Sequence, residues 1–231
     1  MPSLSVMEIT RRWPAEHPDR IQLYSVPTPN GVKVSIMLEE TGLPYEAHLI
    51  AFSTDEQKSP EFLSIGKIPA IVDPSGPGGA PIALFESGAI LLYLAEKTGQ
   101  FMPTDALGRW EALQWLMFQV GGVGPMVGQL GFFHKFAGKD WEDKRPRDRY
   151  AAETARLLNV MNTQLADREW FLGKDYSIVD ISLLGWIRNI VGLFDADELV
   201  DFGSVPHVSR WLEQGLARPA VQRGLNMPPR P

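Results

Sequence analysis

Residues 21–49 contain the pattern that most restricts what this chain can fold into. Residues 21–25 alternate between apolar and polar side chains, which is the period of a half-buried strand. The turn sequence Pro-Thr-Pro-Asn-Gly follows, and an apolar helical pattern then runs to a stop at Gly42. Residues 45–49 alternate again. A strand, a helix and a second strand in so short a stretch predict a compact unit with parallel strands and a right-handed crossover.

The turn between the first strand and the helix carries two polar side chains, Thr28 and Asn30. A tight turn from a strand into a helix points both of them at the positive end of the helix dipole, which is a ready site for an anion. Asparagine is also common at helix N-termini, so a purely structural capping role for Asn30 is the alternative interpretation.

Residues 52–100 predict the completion of one mixed sheet. Residues 52–66 are polar and typical of a loop. Two apolar strands, at 68–72 and 82–85, are joined by a linker rich in proline and glycine, which favours an antiparallel hairpin. Glu86-Ser87-Gly88 then leads into an apolar helix that Gly99 ends.

From residue 104 onward the pattern is helical throughout. Residues 110–120 are apolar on nearly every side, which is typical of a helix that is buried or lies in an interface. Ser177 and Asp180 form a capping box before another helix. We therefore expect an irregular extension at 1–20, an α/β domain at 21–100 and an all-α domain at 104–231 that ends in a loose proline-rich tail.

Charge and hydropathy restrict the class of partner. The 231 residues carry a net charge of −6 with a pI near 5.3, which argues against a general nucleic-acid binder. We find no apolar run that approaches the ~20 residues needed to cross a bilayer, and no signal-peptide pattern at the start. We therefore expect a cytoplasmic protein with no membrane partner.

The chain contains no cysteine. This excludes structural disulfides, thiolate metal sites and a redox pair of cysteines, so any thiol chemistry must use a sulfur that arrives with a ligand. The four histidines are scattered without metal-ligand spacing, and we expect no metal site.

Three stretches of the predicted α/β domain lie at one edge of its sheet: the Thr28 turn, the Ile68-Pro69 step and the Glu86-Ser87 helix start. A cis Ile68-Pro69 bond turns the Ile68 backbone outward to pair with an extended peptide, although most X-Pro bonds are trans. Ser87 and the free N–H groups of a helix start suit a carboxylate, and Glu86 suits an ammonium. Together they match the end group of an amino acid, whereas plain helix capping explains Glu86-Ser87 taken alone.

Five stretches together resemble the cytosolic glutathione transferases of the Nu class. They are TPNGVKVSIMLEE, KIPAIVD, LFESGAILLYLAEKTG, QWLMFQVGGVGPMVGQ and YSIVDIS. The resemblance extends over residues 12–221. It implies the glutathione transferase architecture, a thioredoxin-like α/β N-terminal domain followed by an all-α C-terminal domain.

The resemblance also implies roles for residues of the N-terminal domain. Thr28 and Asn30 match positions whose hydroxyl and amide face the glutathione sulfur. Ile68, before the family's cis-proline at Pro69, matches the position that pairs with the cysteinyl backbone. The pair at positions 86 and 87 matches the residues that grip the γ-glutamyl end.

The resemblance also implies roles for three further positions. Gln57 and Lys67 match positions near the glycyl end of glutathione, but the loop before Lys67 is shorter here than in the family and must follow another path. Arg149 matches an arginine that contacts a second glutathione. A cation in the first turn of a helix is unfavourable, so an anionic neighbour would explain it, while a solvated charged face is the alternative.

The function that the resemblance implies is glutathione-dependent disulfide reduction by a homodimer, with two glutathiones or one oxidised glutathione per subunit. The partners would be glutathione and a small disulfide or electrophile. An ordinary transferase or peroxidase, with a pocket lined by Phe132, Phe133 and Trp186, is the first alternative. A non-catalytic regulatory module is the alternative of another class.

Overall fold

The computed structural model describes residues 8–229, which form two compact units. The first contains residues 8–98 together with the chain from Pro219 onward, and the second contains Gly99–Arg218. The sequence prediction assigned the chain after residue 218 to the helical domain; the structure places residues 219–229 in the first unit instead, and residues 230–231 lie outside the described part.

The first unit is built on a four-stranded sheet in the order β2-β1-β3-β4. β1 and β2 are parallel and β3 is antiparallel to β4, as the sequence predicts, and β3 is also antiparallel to β1. The thioredoxin-like fold expected for this domain is therefore confirmed. The strands are β1 (Ile21–Ser25), β2 (Tyr45–Leu49), β3 (Ala70–Asp73) and β4 (Ile82–Phe85).

Five helices belong to this unit in the described part of the chain. Helix α2 is buried on every side along its first eight residues, so it lies inside the unit as a central element. It ends at Gly42, whose positive φ of 68° is accessible to glycine at low cost. The helices are α1 (Ile9–Arg12), α2 (Gly31–Thr41), α3 (Pro60–Leu63), α4 (Ser87–Thr98) and α10 (Pro219–Gly224).

Helix α10 packs on α2, which explains why the end of the chain returns to the first unit. The Ser35 hydroxyl donates a hydrogen bond to the carbonyl oxygen of Gly224 at 2.6 Å. A Cβ atom at Gly224 would lie 2.6 Å from the Ile36 backbone. Only glycine permits this close approach of the two helices.

Residues 8–20 also differ from the irregular extension that the sequence predicts; residues 1–7 of that extension lie outside the described part of the structure. Ile9 is fully buried in α1 and belongs to a hydrophobic cluster with Tyr24 and Phe62. Trp13 meets both of those rings edge-on. This segment is packed because its apolar side chains complete a core that a local pattern does not reveal.

The second unit is all-helical, as predicted. A π-helical stretch, Gln119–Val123, joins α5 to α6 at the glycine-rich sequence. Asp180 closes the predicted capping box at the start of α8 and also accepts hydrogen bonds from Phe171 N–H and Trp211 Nε1–H. The helices are α5 (Ala106–Phe118), α6 (Gly124–His134), α7 (Arg145–Gln164), α8 (Ile178–Val191) and α9 (Pro206–Leu216).

The sequence analysis predicted no apolar segment long enough to cross a bilayer, but the helical run Ala106–His134 is one by length and composition. A window of it has a mean hydropathy of 1.2, which by length and composition alone is enough to cross a membrane. The core helix of a soluble protein passes the same test. Trp115 and Leu116 of α5 are buried in the second unit, whereas Trp110 and Met117 are 71% and 53% exposed.

Candidate functional site

The strand register places the three predicted stretches at one end of the sheet. Tyr24 of β1 pairs with Ala70 of β3, and Ala70 pairs with Phe85 of β4. The chain therefore leaves β1 toward Thr28 at the same end where it enters β3 from Pro69 and leaves β4 toward Glu86. A ligand at this end of the sheet can contact all three stretches.

Thr28 closes the turn before α2. Its Oγ1 accepts a hydrogen bond from the Gly31 N–H at 3.1 Å, so the hydroxyl hydrogen remains able to donate elsewhere. The turn is tight, because a Cβ atom at Gly31 would lie 2.0 Å from the Val26 carbonyl oxygen. Asn30 occupies the N-cap position, but its side chain makes no capping hydrogen bond to the helix. The structural capping role is therefore carried by Thr28 and not by Asn30.

The Ile68-Pro69 peptide bond is cis. Pro69 is buried and Ile68 is partly exposed. The cis bond lies directly before β3, which begins at Ala70.

Glu86 has a strained backbone, with a φ of 69° that is uncommon for a residue other than glycine. Its carbonyl oxygen accepts the Ile90 N–H at 3.0 Å, which puts Glu86 at the N-cap position and Ser87 at the first position of α4. The Glu86 side chain is exposed and that of Ser87 is buried. Strained conformations of this kind concentrate at ligand sites.

Lys33 is the residue of this site that the sequence analysis missed. It is 1% exposed, and its Nζ donates a hydrogen bond to Ser87 Oγ at 3.1 Å. Burial lowers the pKa of Lys33 to about 7, and the nearby Glu86 carboxylate partly opposes that effect. The sequence does contain a sign of this buried lysine. Lys33 interrupts the apolar stretch GVKVSIML, and all eight residues of that stretch are buried in α2.

Gln57 and Lys67 lie on the loop between β2 and β3. Gln57 is in a single 3-10 turn, where its Nε2 donates to Asp55 Oδ1 at 3.3 Å. Its Oε1 atom is buried without a hydrogen-bond partner. Lys67 is exposed and follows Gly66, which has a φ of 103° and packs against the Phe85 ring. The structure does not bring Gln57 and Lys67 into a shared hydrogen bond with the three stretches.

Arg149 lies in the second turn of α7, in the second unit, and is 70% exposed. Its guanidinium is 3.7 Å from the Glu153 carboxylate, one helical turn further along. Arg149 therefore lies outside the first turn, where the helix dipole would disfavour a cation, and Glu153 is its anionic neighbour, so its position gives no independent support for a bound anion. Its proposed contact with a second glutathione stays a prediction of the resemblance.

The aromatic residues that the alternative pocket would use also lie in the second unit. Phe132 and Phe133 meet edge-on with Trp141, and Phe133 stacks on Tyr150 with an angle of 10° between the rings. Trp186 packs against Gly124 and Gly128 of α6. A Cβ at those positions would lie 3.5 Å and 3.3 Å from the indole.

Within residues 8–229, no group of three or more histidine, aspartate or glutamate side chains is placed to hold a metal ion. The arrangement at the end of the sheet instead offers hydroxyls, an amide, free N–H groups at helix starts and one carboxylate. These groups suit an organic ligand that carries both an anionic and a cationic end.

Comparison with known proteins gives the family. The model of the glutathione S-transferase N-terminal domain matches residues 20–96, and that of the C-terminal domain matches residues 125–219. The disulfide-bond oxidoreductase YfcG of Escherichia coli is 43% identical over 209 residues, which cover 89% of this chain and 94% of that protein.

Two solved structures are closely similar. A glutathione transferase from Burkholderia graminis, with two glutathione molecules bound per subunit, is 63% identical with a TM-score of 0.98 and covers 100% of this chain and 98% of its own. A glutathione transferase from Pseudomonas putida, with one glutathione disulfide bound per subunit, is 59% identical with a TM-score of 0.97. The match covers 98% of this chain and 100% of that chain. This chain belongs to the glutathione S-transferase family.

Proposed function

We propose that this protein is a Nu-class glutathione transferase that reduces disulfides with the thiolate of bound glutathione. The observation that carries the proposal is the Thr28 turn, whose hydroxyl is held by Gly31 N–H at 3.1 Å at the start of α2. The chain has no cysteine of its own, so the reactive sulfur must come from the ligand. A relative named as a disulfide-bond oxidoreductase, and structures that hold glutathione or its disulfide, support the same function.

Glutathione would bind by its γ-glutamyl end at the start of α4. Its carboxylate accepts hydrogen bonds from the Ser87 hydroxyl and from free N–H groups of the first helical turn. Its ammonium pairs with the exposed Glu86 carboxylate. The cysteinyl backbone pairs with the Ile68 backbone beside Pro69, which places the sulfur toward the Thr28 turn.

The protein would lower the pKa of the bound thiol by stabilising its anion. The Thr28 hydroxyl and the Asn30 amide donate hydrogen bonds to the sulfur, and the positive end of α2 adds to them. A lower thiol pKa increases the fraction of thiolate, which is the form that attacks a disulfide.

Reduction then takes two exchange steps. The thiolate attacks one sulfur of the substrate disulfide, which forms a glutathione mixed disulfide and releases the other half as a thiolate. The thiolate of a second glutathione attacks the glutathione sulfur of the mixed disulfide. The products are oxidised glutathione and a second substrate thiol, so the two electrons come from two glutathiones and no protein side chain is modified.

Three further features complete the proposal. Arg149 would contact the second glutathione. A homodimer would cover the exposed apolar face of α5, where Trp110 and Met117 are 71% and 53% exposed. The enzyme would act in the cytoplasm, where glutathione is kept largely reduced.

A second candidate is transfer of glutathione to an aromatic electrophile. The ring cluster of Phe132, Phe133 and Trp141 favours it, since Phe132 and Trp141 are 37% and 49% exposed and offer ring surface for stacking. A peroxidase reaction with an organic hydroperoxide would use the same thiolate.

Parallel assays distinguish these functions. Purified protein with glutathione is offered a small-molecule disulfide in one assay and an aryl halide in the other, beside Thr28→Ala. If the protein is a disulfide reductase, we expect fast disulfide reduction and poor arylation, and we expect Thr28→Ala to lose the reduction. Good arylation with little reduction would establish the ordinary transferase. No activity in either assay, with glutathione still bound, would favour a non-catalytic regulatory module.

A further inference from the structure

Lys33 is a buried lysine that the reaction steps above do not use. We propose that Lys33 is a positioning residue for the γ-glutamyl carboxylate, because its ammonium donates to Ser87 Oγ and thereby turns the Ser87 hydroxyl proton toward the ligand. This rests on the proposed binding of glutathione and adds a residue that acts through Ser87.

The hydrogen-bond geometry gives the first argument. A serine hydroxyl has one hydrogen to donate and two lone pairs to accept with. Lys33 Nζ lies 3.1 Å from Ser87 Oγ, and an ammonium donates only, so it occupies a lone pair of the hydroxyl. The hydroxyl hydrogen then points away from Lys33 and is available to a carboxylate acceptor.

The location of Lys33 gives the second argument. Lys33 is 1% exposed and Ser87 is 6% exposed, so water competes little for this contact. The two residues are 54 positions apart, on different helices, and the bond therefore fixes the start of α4 against α2. A carboxylate held by Ser87 would lie close enough to the ammonium to gain from its charge as well.

The charges around Lys33 give the third argument. Burial lowers the pKa of Lys33 to about 7, while Glu86 favours the charged form. A second carboxylate, from the ligand, would favour it further. Binding of the ligand and protonation of Lys33 are therefore coupled. Helices α4 and α10, which pack against α2, carry three other charged groups: Arg223 of α10 pairs with Glu39, Lys97 of α4 pairs with Asp73, and Glu96 lies beside Lys97 near the far end of α4.

The test measures the affinity for S-methylglutathione by calorimetry. This ligand has no titrating thiol, so its pH dependence reports on the γ-glutamyl end and on the protein. Lys33→Met retains the unbranched apolar stem and removes the charge. We expect Lys33→Met to lose roughly ten-fold in affinity at pH 6.5. We also expect the wild-type affinity to fall between pH 6.5 and 8.5 more steeply than that of the variant.

A double-mutant cycle separates positioning from a general effect on the fold. In the Ser87→Ala background, Lys33→Met should cause a clearly smaller loss than in the wild-type background, because the hydroxyl that it orients is absent and only the direct attraction between the charges is left to lose. Equal losses in both backgrounds, or equal affinity of Lys33→Met and the wild-type protein, would overturn the inference.

A modified ligand tests the role of Lys33 with the wild-type protein alone, so the result does not depend on whether a variant folds. Replacing the γ-glutamyl α-carboxylate of S-methylglutathione by an amide should remove the steeper pH dependence from the wild-type protein. Retention of that dependence with the amide would overturn the role of Lys33. Failure of the wild-type protein to bind S-methylglutathione at all would instead contradict the proposed function, so the two failures are distinct.

Discussion

The Thr28 hydroxyl oxygen accepts a hydrogen bond from the Gly31 N–H at 3.1 Å, across the turn that joins β1 to α2. This contact fixes a side chain that is neither part of the strand nor part of the helix. The Ser87 hydroxyl is held in a similar way, because its oxygen accepts a hydrogen bond from Lys33 Nζ. In both cases a donor of the protein occupies the oxygen, and the hydroxyl hydrogen is left for a ligand.

Gly31→Ala should destabilise the protein and weaken glutathione binding. The added Cβ would lie 2.0 Å from the Val26 carbonyl oxygen, so the turn that holds Thr28 must move. We expect a loss of about 1–3 kcal/mol in the free energy of unfolding, measured by urea denaturation. Gly203→Ala is the matched control, because a Cβ there meets nothing within 4 Å. Equal stability of the two variants would contradict the close approach.

Ser35→Ala should loosen the attachment of α10. The Ser35 hydroxyl is buried and donates to the Gly224 carbonyl oxygen at 2.6 Å, which would lose that donor. We expect a cost of about 1–3 kcal/mol in unfolding free energy. Ser64→Ala is the control, since its exposed hydroxyl makes a similar bond to the Glu61 carbonyl oxygen at 2.7 Å. A loss in the control as large as that of Ser35→Ala would show that the α10 contact is not the cause.

Asp180→Asn should destabilise the second unit. The carboxylate accepts from Phe171 N–H, the Ser177 N–H and hydroxyl, and Trp211 Nε1–H, all within 3.1 Å. Asparagine replaces one of the two carboxylate oxygens by an NH2 group, which cannot accept a hydrogen bond. Some of these N–H and O–H donors therefore lose their acceptor. We expect a loss of about 2–4 kcal/mol by urea denaturation. Asp143→Asn, at an exposed aspartate paired with Arg145, should change stability little, and an unaltered Asp180→Asn protein would contradict the network.

Lys33 should make the stability of the wild-type protein rise with pH. Its pKa in the folded state is about 7, below the ordinary value of 10.5, so the unfolded chain binds more protons above pH 7. Stability therefore increases as pH rises through that window, by at most about 1.4 kcal/mol per pH unit from this group. Lys33→Met lacks this contribution. Urea denaturation of both proteins at pH 7 and pH 9 measures the difference, and parallel pH dependence would contradict the shifted pKa.

Local patterns were sufficient to predict the elements that form the site. The alternation of residues 21–25 and the turn chemistry around Thr28 each act within a few residues, so they can be read from the sequence directly. The sheet end that gathers them follows from the parallel βαβ unit and the hairpin.

The parts that the sequence did not predict depend on contacts between distant residues. The packing of α10 on α2 rests on Gly224 meeting Ile36, and the burial of Ile9 rests on Tyr24 and Phe62. Neither partner lies near in sequence, and a proline-rich end or a charged start gives no periodic signal of its own. Lys33 was missed for a related reason, because its partner Ser87 is 54 residues away.

The central claim is that this protein stabilises the thiolate of bound glutathione at Thr28. The most direct measurement is the ultraviolet absorbance of that thiolate as a function of pH, with Thr28→Ser and Thr28→Ala as a matched pair. We expect the wild-type protein and Thr28→Ser to hold the thiol pKa below that of free glutathione. Thr28→Ala should raise it by about 1–2 units, the equivalent of one hydrogen bond to a charged group. A bound thiol that titrates like free glutathione in the wild-type protein, or identically in all three proteins, would contradict the account.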